Sequence, residues 1–160
     1  MNMEKVLYES NPSRRLFLSF GFKSLIVFLL LFLFFGIDFF AKQQTSQAIV
    51  YFCLTFILLF LVSLLYLYFL VKSYKYKITD KGIYFSGGII TKREKYVPFF
   101  KITNVDVLQT FIDQILGISR LGFQTAGQGA SNFPEIKFQG LIDYDKPRKI
   151  ALKYIEKDSK

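Results

Sequence analysis

Apolar residues in this chain are concentrated in one stretch, and that segregation constrains the fold more than any other feature. Counted from the sequence, 37 of the 48 residues at positions 24–71 are hydrophobic, against 36 of the 89 that follow. The first density is typical of a membrane segment and the second of a globular domain. Because 160 residues leave room for little more, we expect a membrane part followed by one small domain.

The apolar stretch divides into two candidate spans. Residues 24–41 contain one charge and residues 48–71 contain none. As helices they would extend about 27 and 36 Å, against a hydrocarbon core of about 30 Å. The polar connection at 42–47 is short, so the helices should be antiparallel neighbours. A cleaved signal peptide is the alternative for the first span, with Ser46 and Ala48 as small cleavage-site residues; the length of the run and the second span after it favour the hairpin.

Basic residues flank the spans unequally and predict their orientation. Lys and Arg precede the first span and follow the second, whereas Lys42 is the only one between them. The positive-inside rule then places residues 1–23 and 72–160 in the cytoplasm and 42–47 outside. We therefore expect a multi-pass protein of the cell membrane with both termini cytoplasmic. Asp38 precedes Lys42 by four residues, so the two can pair at the membrane interface; an ion or proton site at Asp38 is the competing interpretation.

Composition excludes several kinds of chemistry. The chain has no His and a single Cys, Cys53, inside the second apolar run. Without His it lacks the commonest general base and the commonest metal ligand, and no Ser or Cys nucleophile can be activated by one. A lone Cys forms neither a disulfide nor a thiolate cluster within one chain. The sequence therefore predicts a protein that is not an enzyme and has no cofactor, catalytic or metal site.

After residue 72 the hydrophobic period changes from helical to alternating, which is typical of strands. One hairpin should turn at 80–82 and a second at Gly87 and Gly88, with the third strand running from Ile89 to about Tyr96. Three more strands and two helices are expected in the order strand 102–109, short helix 111–116, strand from 121, strand 133–138 and a terminal helix announced by Asp145 and Pro147. Such a chain favours a bent antiparallel sheet or small barrel covered at one end by the last helix.

Two segments resemble a known family. They are YKITDKGIYFSGG at 76–88 and VPFFKITNVDVLQTFIDQILGISRLGFQTAGQGA at 97–130, and ESNPSRR at 9–15 together with the apolar hairpin also fits the arrangement. The chain is similar to the bacterial PH-like domain of membrane proteins of the YdbS and YdbT type. The resemblance implies an α+β membrane protein with a two-helix transmembrane hairpin, then a PH-like split β-barrel with a C-terminal capping helix. It implies no catalytic residues.

Basic residues are the candidate binding groups. The predicted cytoplasmic domain has 16 Lys and Arg against 9 Asp and Glu, a balance of +7 by count, and cations near a leaflet attract anionic lipid. The juxtamembrane set is Lys72, Lys75 and Lys77; the lipid- or partner-binding set is Lys92, Arg93, Lys95 and Lys101. Each set has a plainer explanation. The first set is the positive charge that sets the orientation of the spans in the membrane, and the second is a solvent-exposed edge strand whose lysines prevent aggregation.

The leading hypothesis is a scaffold: a cytoplasmic PH-like domain presented for protein interaction or membrane-complex assembly. The alternative is recognition of anionic lipid head groups by the second basic set. Expected partners are membrane lipids and a protein partner or a second copy of the chain. Nucleic acid is not expected, because Lys and Arg are spread along the chain without an Arg-rich tract. The loop from Gly127 to Gly129 is expected to be a hairpin turn rather than a phosphate cradle, since no GK[ST] follows.

Overall fold

The structure, a computed structural model, describes residues 4–42, 45–125 and 134–158. The chain divides into two compact units. One unit consists of residues 17–69 and the other of the segments up to Leu16 and from Leu70 onward. The predicted loop around Gly127 lies outside the described residues, as does part of the 42–47 connection.

Two long helices, α1 (Arg15–Ala41) and α2 (Ser46–Ser73), supply the first unit, and their ends at 15–16 and 70–73 belong to the second unit. Both are long and apolar enough to cross a membrane by length and composition. They pack along each other through aromatic side chains, with the Phe32 ring centroid 5.5 Å from that of Phe52 and 5.2 Å from that of Phe56. Helix α1 starts at Arg15, nine residues before the first apolar run, and α2 extends two residues beyond the second run at each end.

Two antiparallel sheets form the second unit. The first sheet has the order β1-β2-β3-β4, with β1 Val6–Ser10, β2 Lys75–Thr79, β3 Gly82–Gly87 and β4 Arg93–Pro98. The second has the order β5-β6-β7, with β5 Ile102–Leu108, β6 Ser119–Thr125 and β7 Ile136–Leu141. A 3₁₀ turn at Phe99–Lys101 joins the sheets, α3 is Phe111–Ile115 and α4 is Asp145–Asp158. The predicted fold class is confirmed.

The core contains side chains from both sheets and from α4. Tyr76 of β2 stacks on Phe138 of β7 with ring centroids 4.6 Å apart, and both residues are buried. The Tyr76 hydroxyl donates to the Gln139 carbonyl oxygen at 2.9 Å. Tyr154 of α4 stacks on buried Phe99 at 5.4 Å. The apolar residues of α4, among them Ala151 and Tyr154, therefore face the core.

Strand β1 was not predicted. Its residues lie in the segment 1–23, to which the sequence assigned only a cytoplasmic location. Glu9 pairs with Lys77 and Ser10 with Tyr76, which makes β1 the edge strand beside β2. The amino-terminal segment thus belongs to the same unit as the sheets, although helices α1 and α2 separate it from them in sequence.

The second hairpin differs from its prediction. Gly87 is the last residue of β3 and pairs with Arg93, so a five-residue loop at 88–92 replaces the two-residue turn at Gly87 and Gly88. The next strand accordingly starts at Arg93 rather than Ile89. The Tyr74 ring lies against Gly87 so closely that a Cβ there would collide with it. This contact explains why the last residue of β3 is a glycine.

The start of α4 also differs. Asp145 is the first helical residue, and the capping oxygen belongs to Asp143, whose Oδ1 accepts hydrogen bonds from the backbone N–H groups of Asp145 at 3.0 Å and Lys146 at 3.3 Å. Unsatisfied N–H groups in a first helical turn need such an acceptor. Asp145 therefore lies at the helix start as expected, whereas the capping role belongs to Asp143.

Candidate interaction surface

A groove of about 300 Å³ crosses strands β2, β3 and β4 on one face of the first sheet. The register explains its lining, since Lys77 pairs with Tyr84 and Tyr84 with Tyr96 in one row. A second row pairs Lys75 with Ser86 and Ser86 with Glu94. Cross-strand pairs and alternate residues along a strand share a face, so these six side chains lie side by side. Phe85 and Lys95 complete the lining.

Two stacked tyrosines form the aromatic part of the groove. The ring centroids of Tyr84 and Tyr96 are 4.4 Å apart. The Tyr84 hydroxyl donates to the Glu4 carboxylate at 2.7 Å, and the Tyr96 hydroxyl donates to the Lys81 carbonyl oxygen at 3.3 Å. Desolvation and then the Glu4 carboxylate raise the pKa of Tyr84 above its ordinary value. Desolvation is also the first cause that raises the pKa of Tyr96, so both phenols are neutral donors at physiological pH.

The charges around the groove are mixed. Lys77 Nζ lies 3.1 Å from the Glu9 carboxylate of β1, and Lys95 Nζ donates to the Glu135 backbone carbonyl at 2.9 Å. Glu94 adds a carboxylate to the lining. The groove therefore offers cations, an anion and hydrogen-bonding phenols together.

The four residues of the predicted lipid- or partner-binding set are not gathered at one place. Lys92 lies in the 88–92 loop, and Arg93 and Lys95 lie on β4. Lys101 closes the 3₁₀ turn beyond the other end of that strand, and its Nζ is 6.0 Å from the Phe100 ring centroid. Because β4 itself rises roughly 16 Å, Lys101 is separated from Lys92 by the length of the strand.

The remaining predicted residues fall in two places. Lys75 and Lys77 of the juxtamembrane set line the groove, whereas Lys72 is in the last turn of α2. At the far end of α1, Lys42 Nζ lies 2.8 Å from Asp38 Oδ2. The placement of that pair at a membrane interface stays a prediction.

Sequence reasoning did not identify the pair Tyr84 and Tyr96, nor the carboxylates of Glu4 and Glu9 near the amino terminus. The alternation of Tyr84 and Ser86 with Ile83 and Phe85 does indicate an outward row, and this signal could have identified the groove's middle strand. Glu4 and Glu9 carried no such signal. Among the described residues, no group of three or more His, Cys, Asp or Glu side chains could hold a metal ion.

Comparison with known proteins gives a match to one family profile. The sequence profile of the bacterial PH domain matches residues 24–158, which is most of the chain. The chain belongs to the bacterial PH domain family. No curated protein and no solved structure gives a significant match. PH domains are generally non-catalytic modules that bind lipids or proteins, and the match does not separate the YdbS and YdbT type from the rest of the family. In this bacterial PH domain the match also includes the two apolar helices.

Proposed function

We propose that this bacterial PH domain is a membrane-anchored, non-enzymatic module whose groove on the first sheet binds a protein partner during assembly of a membrane complex. The observation that carries the proposal is the stacked pair Tyr84 and Tyr96 in a groove that is also lined by the cations of β2 and the carboxylate of Glu94. Tyrosines are frequent hot spots of protein interfaces, since they bury apolar area and keep a polar hydroxyl.

The helices supply the anchor. Helices α1 and α2 contain 27 and 28 residues, which gives lengths of about 40 Å and so suffices for a bilayer. Anchoring confines the domain to the membrane surface and raises its effective concentration toward partners in the same membrane. The excess of Lys and Arg outside the apolar runs supports a cytoplasmic location for the domain and both termini.

Charge complementarity defines the expected partner. An acidic segment with an aromatic or aliphatic anchor would place its carboxylates near Lys75 and its anchor on the tyrosine rings. Glu94 would oppose a phosphate group placed in the same groove. Lys77 and Lys95 already contact Glu9 and the Glu135 carbonyl. These contacts favour a protein partner over an anionic head group at this site.

Site-specific photocrosslinking in native membranes tests the proposal. A photoreactive amino acid at position 86, on the middle strand of the groove, should give a discrete protein adduct, and the same probe at Lys149 on α4 is the matched control. The variants Tyr84→Ala and Lys75→Glu should each reduce the adduct from position 86. Adducts of equal yield from both positions, or adducts with lipid alone, would contradict the proposal; the second result would support head-group binding instead.

A further inference from the structure

Two segments of the domain, the 88–92 loop and α3, expose apolar side chains. Each segment is hydrogen-bonded to a residue at which the chain enters α1 or leaves α2. The loop at 88–92 carries Ile89 and Ile90, of which Ile90 is 85% exposed. Lys92 and Arg93 follow after Thr91 and are exposed as well. Two adjacent isoleucines at the tip of an otherwise polar loop are unfavourable in water, because their apolar surface gains nothing from the fold.

This loop is fixed to the end of α2. The Gly88 backbone N–H donates to the Ser73 hydroxyl oxygen at 2.9 Å, and the same hydroxyl donates to the Leu70 carbonyl at 2.7 Å. Gly88 has φ +112°, and a Cβ there would collide with the Thr91 carbonyl. The loop base is therefore shaped by a glycine that has no ready substitute and attached to the last residue of the helix.

Helix α3 has the reverse of the usual amphipathic arrangement. Its buried residue is Asp113, which is 0% exposed and lies 2.8 Å from Arg120 Nε through its Oδ2. Phe111 and Ile115 are 76% and 70% exposed. They are four residues apart and so share one helix face. An apolar face turned outward, over an ion pair turned inward, marks a surface that contacts something other than water.

Helix α3 is fixed to the start of α1. Arg15 Nη1 donates to the Leu116 carbonyl at 3.0 Å, directly after α3 ends. Both exposed apolar segments are thus hydrogen-bonded to a helix terminus, one to Ser73 and one to Arg15. Helices of about 40 Å match a bilayer together with its head-group regions, so under the proposed anchoring these two termini would lie at head-group depth.

We propose that the tip of the 88–92 loop and the outer face of α3 insert into the interface of the leaflet next to the domain, with Lys92 and Arg93 against anionic lipid phosphates. The inference rests on the membrane anchoring in the proposed function and adds a second, non-spanning contact with the bilayer. The occupant is the lipid surface because apolar residues beside cations suit the boundary between acyl chains and anionic head groups. This contact fixes the orientation of the domain on the membrane.

Label-depth measurements on the full chain test the insertion. The chain carrying Cys53→Ala is reconstituted at a low protein-to-lipid ratio in vesicles of phosphatidylcholine and phosphatidylglycerol. A nitroxide is attached at Thr91→Cys, at Gln114→Cys or, as a control, at Lys149→Cys on α4. Collisions with oxygen, which concentrates in lipid, and with a water-soluble nickel chelate report the depth of each label.

The oxygen-to-nickel collision ratio at positions 91 and 114 should exceed that at 149 several-fold. The added substitutions Ile90→Asn and Phe111→Asn should remove this difference. A ratio equal to the control overturns the proposal, as does protection that appears only at high protein-to-lipid ratio, which would identify a second copy as the occupant. An alkaline carbonate wash separates the two hypotheses: release of the chain refutes the anchoring, whereas a retained chain with water-exposed labels refutes the insertion alone.

Discussion

Removal of the buried carboxylate of Asp113 should destabilise the domain more than most single substitutions. Its Oδ2 accepts from the Thr110 hydroxyl at 2.7 Å, its Oδ1 accepts from Arg120 Nη2 at 3.2 Å, and it completes the capping box at the start of α3. Asp113→Ala leaves the guanidinium of Arg120, whose side chain is only 18% exposed, without its buried counter-charge. Breaking a buried pair costs about 3–5 kcal/mol.

The Arg120 side chain retains some access to water, so we take about 3 kcal/mol for the pair and add about 1 kcal/mol for the lost cap. With a urea m-value of about 2 kcal/mol/M for a domain of this size, the unfolding midpoint should fall by about 2 M. Pulse proteolysis of the detergent-solubilised full chain measures this midpoint, because cleavage reports the unfolded fraction of the domain.

The double variant Asp113→Leu with Arg120→Leu is the matched control. It removes both charges together, so its midpoint should lie well above that of Asp113→Ala, since a hydrophobic replacement of a buried pair is often tolerated. A shift below about 0.5 M for the single variant, or a double variant as unstable as the sum of the two single ones, would refute the assignment of Asp113 as a buried, charge-paired cap.

Three further outcomes follow from the fold. Gly88→Ala should cost about 1–3 kcal/mol through strain at positive φ and should accelerate hydrogen exchange in the 88–92 loop, whereas unchanged exchange would contradict the tight loop. Deletion of residues 1–10 should uncover the edge of β2 and make the domain protease-sensitive; full resistance would show that β1 is dispensable. Tyr76→Phe should cost about 1–3 kcal/mol because the Gln139 backbone groups lose their partner. Burial raises the pKa of Tyr76, so the stability that its phenol contributes is present below about pH 10 and lost above it; proteolysis midpoints at neutral and alkaline pH should therefore fall less steeply in Tyr76→Phe than in the wild type.

Local periodicity made much of the fold predictable. The apolar runs, the hairpin at 80–82, the strand from Ile102 and the short helix before Gly117 all depend on residues close together in sequence. Gly117 has φ +62°, the conformation that ends a helix and favours glycine. In each case the signal and the structure it specifies lie within a few residues of one another.

Long-range pairing explains what the sequence could not show. The residues of β1 form a strand because β2 lies beside them, and that partner is more than sixty residues away, beyond both helices. The groove likewise depends on the register of three strands. Closeness in sequence suggested one site for Lys92 and Lys101, but β4 lies between them. Asn11 and Pro12 follow β1 directly, but one short strand whose partner is distant in sequence gives only a weak local signal.

Labelling of a single cysteine in the groove tests whether the membrane anchors this domain with its groove open to the cytoplasm. The chain carrying Cys53→Ala and Ser86→Cys is treated with a membrane-impermeant maleimide, either in intact cells or in inverted membrane vesicles washed with alkaline carbonate. The chain should stay in the washed vesicles and should be labelled there but not in intact cells. Labelling in intact cells, or release of the chain by carbonate, would contradict this prediction.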